Sequence, residues 1–189
     1  MNRSALLAPL AGALLAAALP QSALALDLTP TAMSVEGGTT EDRVDADRFG
    51  FTLRWDLAQP WFTVGDWRFV SYLEAGVNYW DSTDGRSGED SLVDFHLTPV
   101  FRYEMKPGGG AIAPFIEGGV GVHLYTEDAL NDKEFDIPFA FGSHLGVGAR
   151  FGQNGEYELM YRYQHQSNAG LGDENPGINF HLVSLGVHF

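Results

Sequence analysis

The sequence predicts an all-β protein, an eight-stranded antiparallel transmembrane β-barrel. Three observations carry that expectation. Apolar and polar residues alternate strictly in one segment after another, the pattern of a two-faced strand. The apolar member of each alternation is large and often aromatic, while the opposite face mixes charges of both signs with many of the 23 glycines. Short turn-like connections alternate with longer acidic ones, as tight periplasmic turns alternate with external loops in outer-membrane barrels.

Strands are expected near 29–37, 47–57, 67–80, 91–105, 112–125, 139–151, 156–167 and 178–189. In the second, Phe49, Phe51, Leu53, Trp55 and Leu57 share a face and oppose Arg48, Thr52, Arg54 and Asp56. In the fourth, Phe95, Leu97, Phe101 and Tyr103 oppose Asp94, His96, Arg102 and Glu104. The fifth and sixth set Ile116, Val120, Val122, Phe141, Leu145 and Val147 against Glu117, His123, His144 and Arg150. A membrane barrel turns the apolar face to lipid and the polar face inward. Arg48, Arg54, Arg102, Arg150 and Arg162 are then expected to meet Glu74, Asp94, Glu117 and Glu158 in a narrow lumen, since pairing makes buried charge tolerable.

Residues 58–66, 106–111 and 152–155 are expected as periplasmic turns. Residues 38–46, 81–90, 126–138 and 168–177 are expected as external loops, with both termini on the periplasmic side. The last strand alternates Val183, Leu185, Val187 and Phe189 and ends on that aromatic, which resembles the signal by which outer-membrane proteins are recognised for insertion.

The first residues read as an export leader. Arg3 is followed by the apolar run Leu10–Leu19, then Pro20 and a small-x-small site at Ala23-Leu24-Ala25. A leader over 1–25 leaves one domain, 26–189, beginning at Leu26. The run falls short of the roughly 20 residues that a spanning helix needs. Any span in the remainder must use strands, because only helices and closed barrels satisfy every backbone group in lipid. The absence of cysteine removes disulfides and a thiol nucleophile from consideration. A net charge of −14 argues against nucleic acid, whose phosphates require a basic footprint.

Candidate chemistry lies on the seventh strand. Tyr157, Leu159, Tyr161, Tyr163, His165 and Ser167 share the lipid-facing parity. A histidine and a serine two residues apart on one face come within hydrogen-bond reach, as a histidine-activated serine nucleophile requires. The strand runs outward, so the pair belongs near the outer headgroups, where the substrate would be a lipid. The bland alternative is that both are ordinary interfacial polar residues at a strand end. His96, His123 and His144 point inward and could build a metal site, but a packed lumen network is the expectation. Asp81, Asp84, Glu89 and Asp90 are expected as a solvated loop rather than a calcium site. No metal and no cofactor are therefore expected.

The segment His165-Gln166-Ser167-Asn168-Ala169-Gly170-Leu171 resembles the His-x-Ser-Asn-Ala-Gly motif of the lipid A 3-O-deacylase (PagL) family. Leu53-Arg54-Trp55-Asp56, Glu74-Ala75-Gly76, Thr98–Glu104 and Pro114–Gly119 resemble family segments in the same order. The resemblance implies a small barrel in the bacterial outer membrane that removes the ester-linked 3-hydroxyacyl chain from the 3-position of lipid A. Lipid A or lipopolysaccharide is then the partner, and a homodimer is compatible with such a barrel. The resemblance makes Ser167 the nucleophile and His165 the general base and acid, with Asn168 and the backbone of Ala169 and Gly170 as oxyanion donors. The family's acid is a Glu after Gly-Ile, twelve positions beyond the serine; here Gly177-Ile178 is followed by Asn179. An Asn carbonyl can accept the histidine N–H and fix its tautomer, but it brings no full charge to the imidazolium. Asp173 or Glu174 is the alternative acid. The departure at Asn179 keeps a rival in view, a non-enzymatic structural or adhesive barrel on the same scaffold.

Overall fold

The computed structural model describes residues 28–41, 45–82, 90–173 and 176–189; the leader expected over 1–25 lies outside them. Its strands are β1 (Ala32–Thr40), β2 (Ala46–Val64), β3 (Trp67–Ser82), β4 (Ser91–Met105), β5 (Ala113–Tyr125), β6 (Ala129–Leu130), β7 (Lys133–Glu134), β8 (Phe139–Phe151), β9 (Tyr157–Ser167) and β10 (Ile178–His188). Eight of them close in the order β1-β10-β9-β8-β5-β4-β3-β2, every pairing antiparallel, while β6 and β7 form a separate two-stranded hairpin. Closure leaves no sheet edge to be satisfied by water, which is what a lipid environment demands.

The parity expected from the sequence sets the faces. Phe49, Phe51, Phe95, Ile116, Leu145, Leu159, Val183 and Leu185 project from the outer surface, while the intervening polar residues are buried inside. The lumen is packed with ion pairs. Arg102 bonds both Glu117 and Glu158 at 2.6 Å, and Arg162 reaches Glu74 at 2.8 Å and Glu117 at 3.2 Å. Two expected pairings differ. Arg48 meets Glu36 at 2.6 Å, and Asp94 is held by His123 at 2.8 Å. Arg150 donates to the Gly155 carbonyl at 2.9 Å.

Two connections also depart from the sequence expectation. Residues 58–66 are not a turn: β2 continues to Val64, and the reversal is confined to Gly65 and Asp66. Ladder register breaks between Leu57, opposite Ser71, and Phe62, opposite Phe69, so the intervening residues bulge out. Pro60 cannot donate to a ladder, which suits it to such a bulge. The bulge carries Trp61 outward against Phe69 and Phe101, with its indole N–H on Ser71 at 3.0 Å.

The second departure is in 126–138, which is not merely a loop. The β6–β7 hairpin turns through Asn131 at φ 53°. It sends Leu130 and Phe135 into the external mouth, where they pack with Trp80, Tyr125 and Phe180. An apolar plug therefore lies above the charged lumen.

Candidate active site

β9 ends at Ser167, so His165 and Ser167 stand on the last outward-facing positions before the 168–177 loop. Their neighbours are set by register. His165 lies opposite Asn179 on β10 and Ser143 on β8, and Ser167 lies opposite Phe141. The His165 Nδ1 and the Asn179 Oδ1 are 2.8 Å apart. A carboxamide oxygen only accepts, so this bond places the ring proton on Nδ1 and leaves the Nε2 lone pair as a base. Gly177 underlies the ring: a Cβ there would stand 2.9 Å from the His165 Cε1, and its φ is +59°. Glycine at this position both makes the turn into β10 and leaves room for the imidazole.

Ser167 is half-buried beside Phe139, Ala140, Asn168 and Gly177. Among the described residues its hydroxyl has no hydrogen-bond partner, so the site holds a histidine oriented from behind and a serine within the same outward column. From His165 an open apolar groove runs along the barrel wall past Tyr163, Leu145, Val120 and Pro99, with Gly118 and Gly119 lowering its floor.

The loop after Ser167 is built around Asn168. Its side chain is buried, its Nδ2 donates to the Phe135 carbonyl at 3.2 Å, and its Oδ1 accepts the Gly170 N–H at 2.9 Å. The Leu171 N–H closes the turn on the Asn168 carbonyl at 3.1 Å. Ala169 (φ 56°) and Gly170 (φ 77°) are both left-handed. Of the three expected oxyanion donors, Asn168 and the Gly170 N–H are thus engaged in shaping the turn. The Ala169 N–H has no partner among the described residues. The alternative acids fare differently. The Asp173 N–H is tied to Asp136 at 2.6 Å with its carboxylate exposed, and Glu174 lies outside the described residues.

A group that the sequence reading missed adjoins the site. The Glu41 carboxylate accepts from the Tyr163 hydroxyl at 3.0 Å and lies 2.8 Å from the His181 Nε2, whose Nδ1 lies 2.6 Å from the Tyr161 hydroxyl. The only trace of it in the sequence is a histidine at 181 interrupting the lipid-facing stripe of β10. In the lumen, Asp94, His96 and His123 offer ligand atoms all within 4.8 Å of one another. The Asn78 amide nitrogen sits between Asp94 at 3.0 Å and His96 at 3.1 Å, so the three form part of a hydrogen-bonded core. Of the acidic group Asp81, Asp84, Glu89 and Asp90, Asp84 and Glu89 lie outside the described residues.

The family model for lipid A 3-O-deacylase (PagL) matches residues 47–188. The lipid A deacylase PagL of Pseudomonas aeruginosa is 36% identical over 126 residues, 67% of this chain and 69% of that protein. The lipid A deacylase PagL of Bordetella bronchiseptica is 28% identical over 165 residues, 85% and 88% of the two chains. A crystal structure described as the outer membrane enzyme PagL superposes with a TM-score of 0.73 at 26% identity, covering 84% of this chain and 99% of that one.

Proposed function

The chain belongs to the lipid A 3-O-deacylase (PagL) family, and from that membership we propose a lipid A hydrolase of the bacterial outer membrane that works as a serine esterase. It cleaves the ester that joins the 3-hydroxyacyl chain to the 3-position of lipid A in the outer leaflet. An export leader cleaved after Ala25 fits that location. One observation carries the mechanism: an imidazole oriented through its Nδ1, two residues before a serine on the same outward face, at the external end of a lipid-facing strand.

In this reading the His165 Nε2 takes the Ser167 hydroxyl proton as Oγ attacks the ester carbonyl. The Ala169 N–H, left unbonded by the turn, is the donor best suited to the developing oxyanion, and Asn168 acts by holding that turn. Collapse breaks the ester bond, and His165 returns the proton to the sugar oxygen as it leaves. Water, deprotonated by His165, then releases the 3-hydroxy fatty acid from Ser167. The apolar groove beside His165 suits an acyl chain lying along the wall.

Ser167→Ala and His165→Ala are each expected to lower release of the 3-hydroxy fatty acid by about 10⁴-fold or more, with the barrel still folded. Mass spectrometry of lipid A from expressing cells reads the outcome. Activity within a few fold of wild type in either variant would remove that residue from the mechanism. Wild-type protein inert on every lipid A would favour the non-enzymatic barrel.

A further inference from the structure

The site departs from the family pattern at Asn179, which orients His165 without bringing a charge. The row that contains both residues does not stop at β10. β1 pairs with β10 so that Thr40 faces Phe180, and the Glu41 N–H continues the ladder to the Asn179 carbonyl at 3.4 Å. His165, Asn179 and Glu41 are thus consecutive outward positions across three chain segments. We propose that Glu41 is a positioning residue of the esterase site, supplying from one strand further away the negative charge that position 179 lacks. The inference rests on the serine-esterase reading of His165 and Ser167.

The hydrogen bonds around Glu41 preserve its charge. If the Tyr161 hydroxyl donates to His181 Nδ1, then His181 Nε2–H donates to Glu41, and a neutral imidazole satisfies both contacts. Tyr163 donates the third bond. In that arrangement Glu41 has two direct partners, His181 and Tyr163, neither of them charged, and the patch keeps a net negative charge. The hydrogen bonds from His181 and Tyr163 both favour the ionised form of the Glu41 carboxyl. Adjacent strands are about 4.8 Å apart, which sets Glu41 about two such spacings from His165. At a lipid-facing surface that separation is poorly screened, so the charge is felt by the imidazolium that forms as Ser167 gives up its proton. Tyr161, Tyr163 and His181 are the other titratable groups on the neighbouring outward rows of β9 and β10, and the exposed Asp45 and Asp47 stand on the β2 side, Asp47 opposite Thr39.

The test compares Glu41→Gln, Asn179→Glu and their double variant on purified lipid A in detergent micelles, with heat-modifiable mobility reporting folding and Ser167→Ala as the inactive reference. Glu41→Gln is expected to lower kcat about tenfold and to move the acid limb of the kcat/KM profile to lower pH, because loss of a nearby carboxylate lowers the histidine's proton affinity. Asn179→Glu, which sets a carboxylate directly against the ring, is expected to raise kcat and to move the acid limb to higher pH. In that background Glu41→Gln is expected to change kcat by less than about twofold. Glu41→Gln at wild-type rate with an unmoved acid limb would overturn the inference, as would an equal loss in both backgrounds. An active Ser167→Ala would instead overturn the esterase reading on which it stands.

Discussion

At Gly177 the chain turns beneath the His165 imidazole, and this is where a single carbon has the largest leverage. A methyl there would press on the His165 Cε1 at 2.9 Å while also forcing a side chain into φ +59°. Gly177→Ala is expected to lower kcat about tenfold or more, because small misplacements of a catalytic group are costly. KM should stay close to wild type, since the groove beyond Tyr163 is untouched. Steady-state kinetics would separate these effects, and a changed KM with unchanged kcat would contradict the account. Asn179→Ala frees the ring and is expected to cost about ten- to a hundredfold in rate by the same reasoning. Asp173→Ala is expected to be nearly neutral, because it is the backbone N–H of that residue, not its carboxylate, that the loop uses. Rates on lipid A in matched detergent decide between Asn179 and Asp173 as the histidine's partner.

The β6–β7 hairpin shows how an element outside the barrel wall reaches the candidate site. Phe135 packs into the plug against Trp80 and Tyr125, while its carbonyl receives the Asn168 amide that shapes the turn after Ser167. Phe135→Ala is expected to destabilise the barrel by about 3–5 kcal/mol, as for large buried aromatics elsewhere. It should also lower activity, by loosening the turn that presents Ala169. Full activity in the folded variant would uncouple hairpin from site. None of this was legible beforehand. Strand parity was readable residue by residue, because each strand alternates locally, and His165 and Ser167 share a strand. Arg48 with Glu36, Asn168 with Phe135, and Glu41 with His181 are contacts between segments. Their partners follow from inter-strand register and from how the hairpin folds back, neither of which a local pattern encodes. The bulge before Phe62 was hidden for the same reason: Pro60 and Trp61 read as a turn until the β2–β3 register shows the strand resuming.

Across the whole molecule, an apolar plug and a network of buried charges occupy the barrel interior. Arg102 alone bonds Glu117, Glu158 and, at 3.2 Å, the Tyr72 hydroxyl, and it stacks on Phe115 at 3.7 Å. A lumen so occupied should not conduct, and planar-bilayer recordings of the purified barrel are expected to show no steady channel. Removing one partner of such a network leaves its mates buried and unpaired, so Arg102→Met is expected to cost about 3–5 kcal/mol in urea unfolding. Orientation is equally testable. Cysteine at Asp128, in the external β5–β6 connection, should react with an impermeant reagent on intact cells, and cysteine at Asn154, in the turn before β9, should not. The reverse labelling would invert the barrel and put the site on the wrong side of the membrane.

His165 and Ser167 open sideways, through the wall, rather than upward into water. With the proposed site there, lipid A arrives by lateral diffusion, and the concentration that matters is the number of lipid A molecules per unit area of leaflet. Diluting lipid A with inert lipid at constant total amount should slow turnover, whereas diluting the whole suspension with buffer should leave the rate per enzyme nearly unchanged. The product fatty acid enters the same plane, so late in the reaction it competes for the groove as a two-dimensional solute. Such an enzyme counts neighbours rather than molarity.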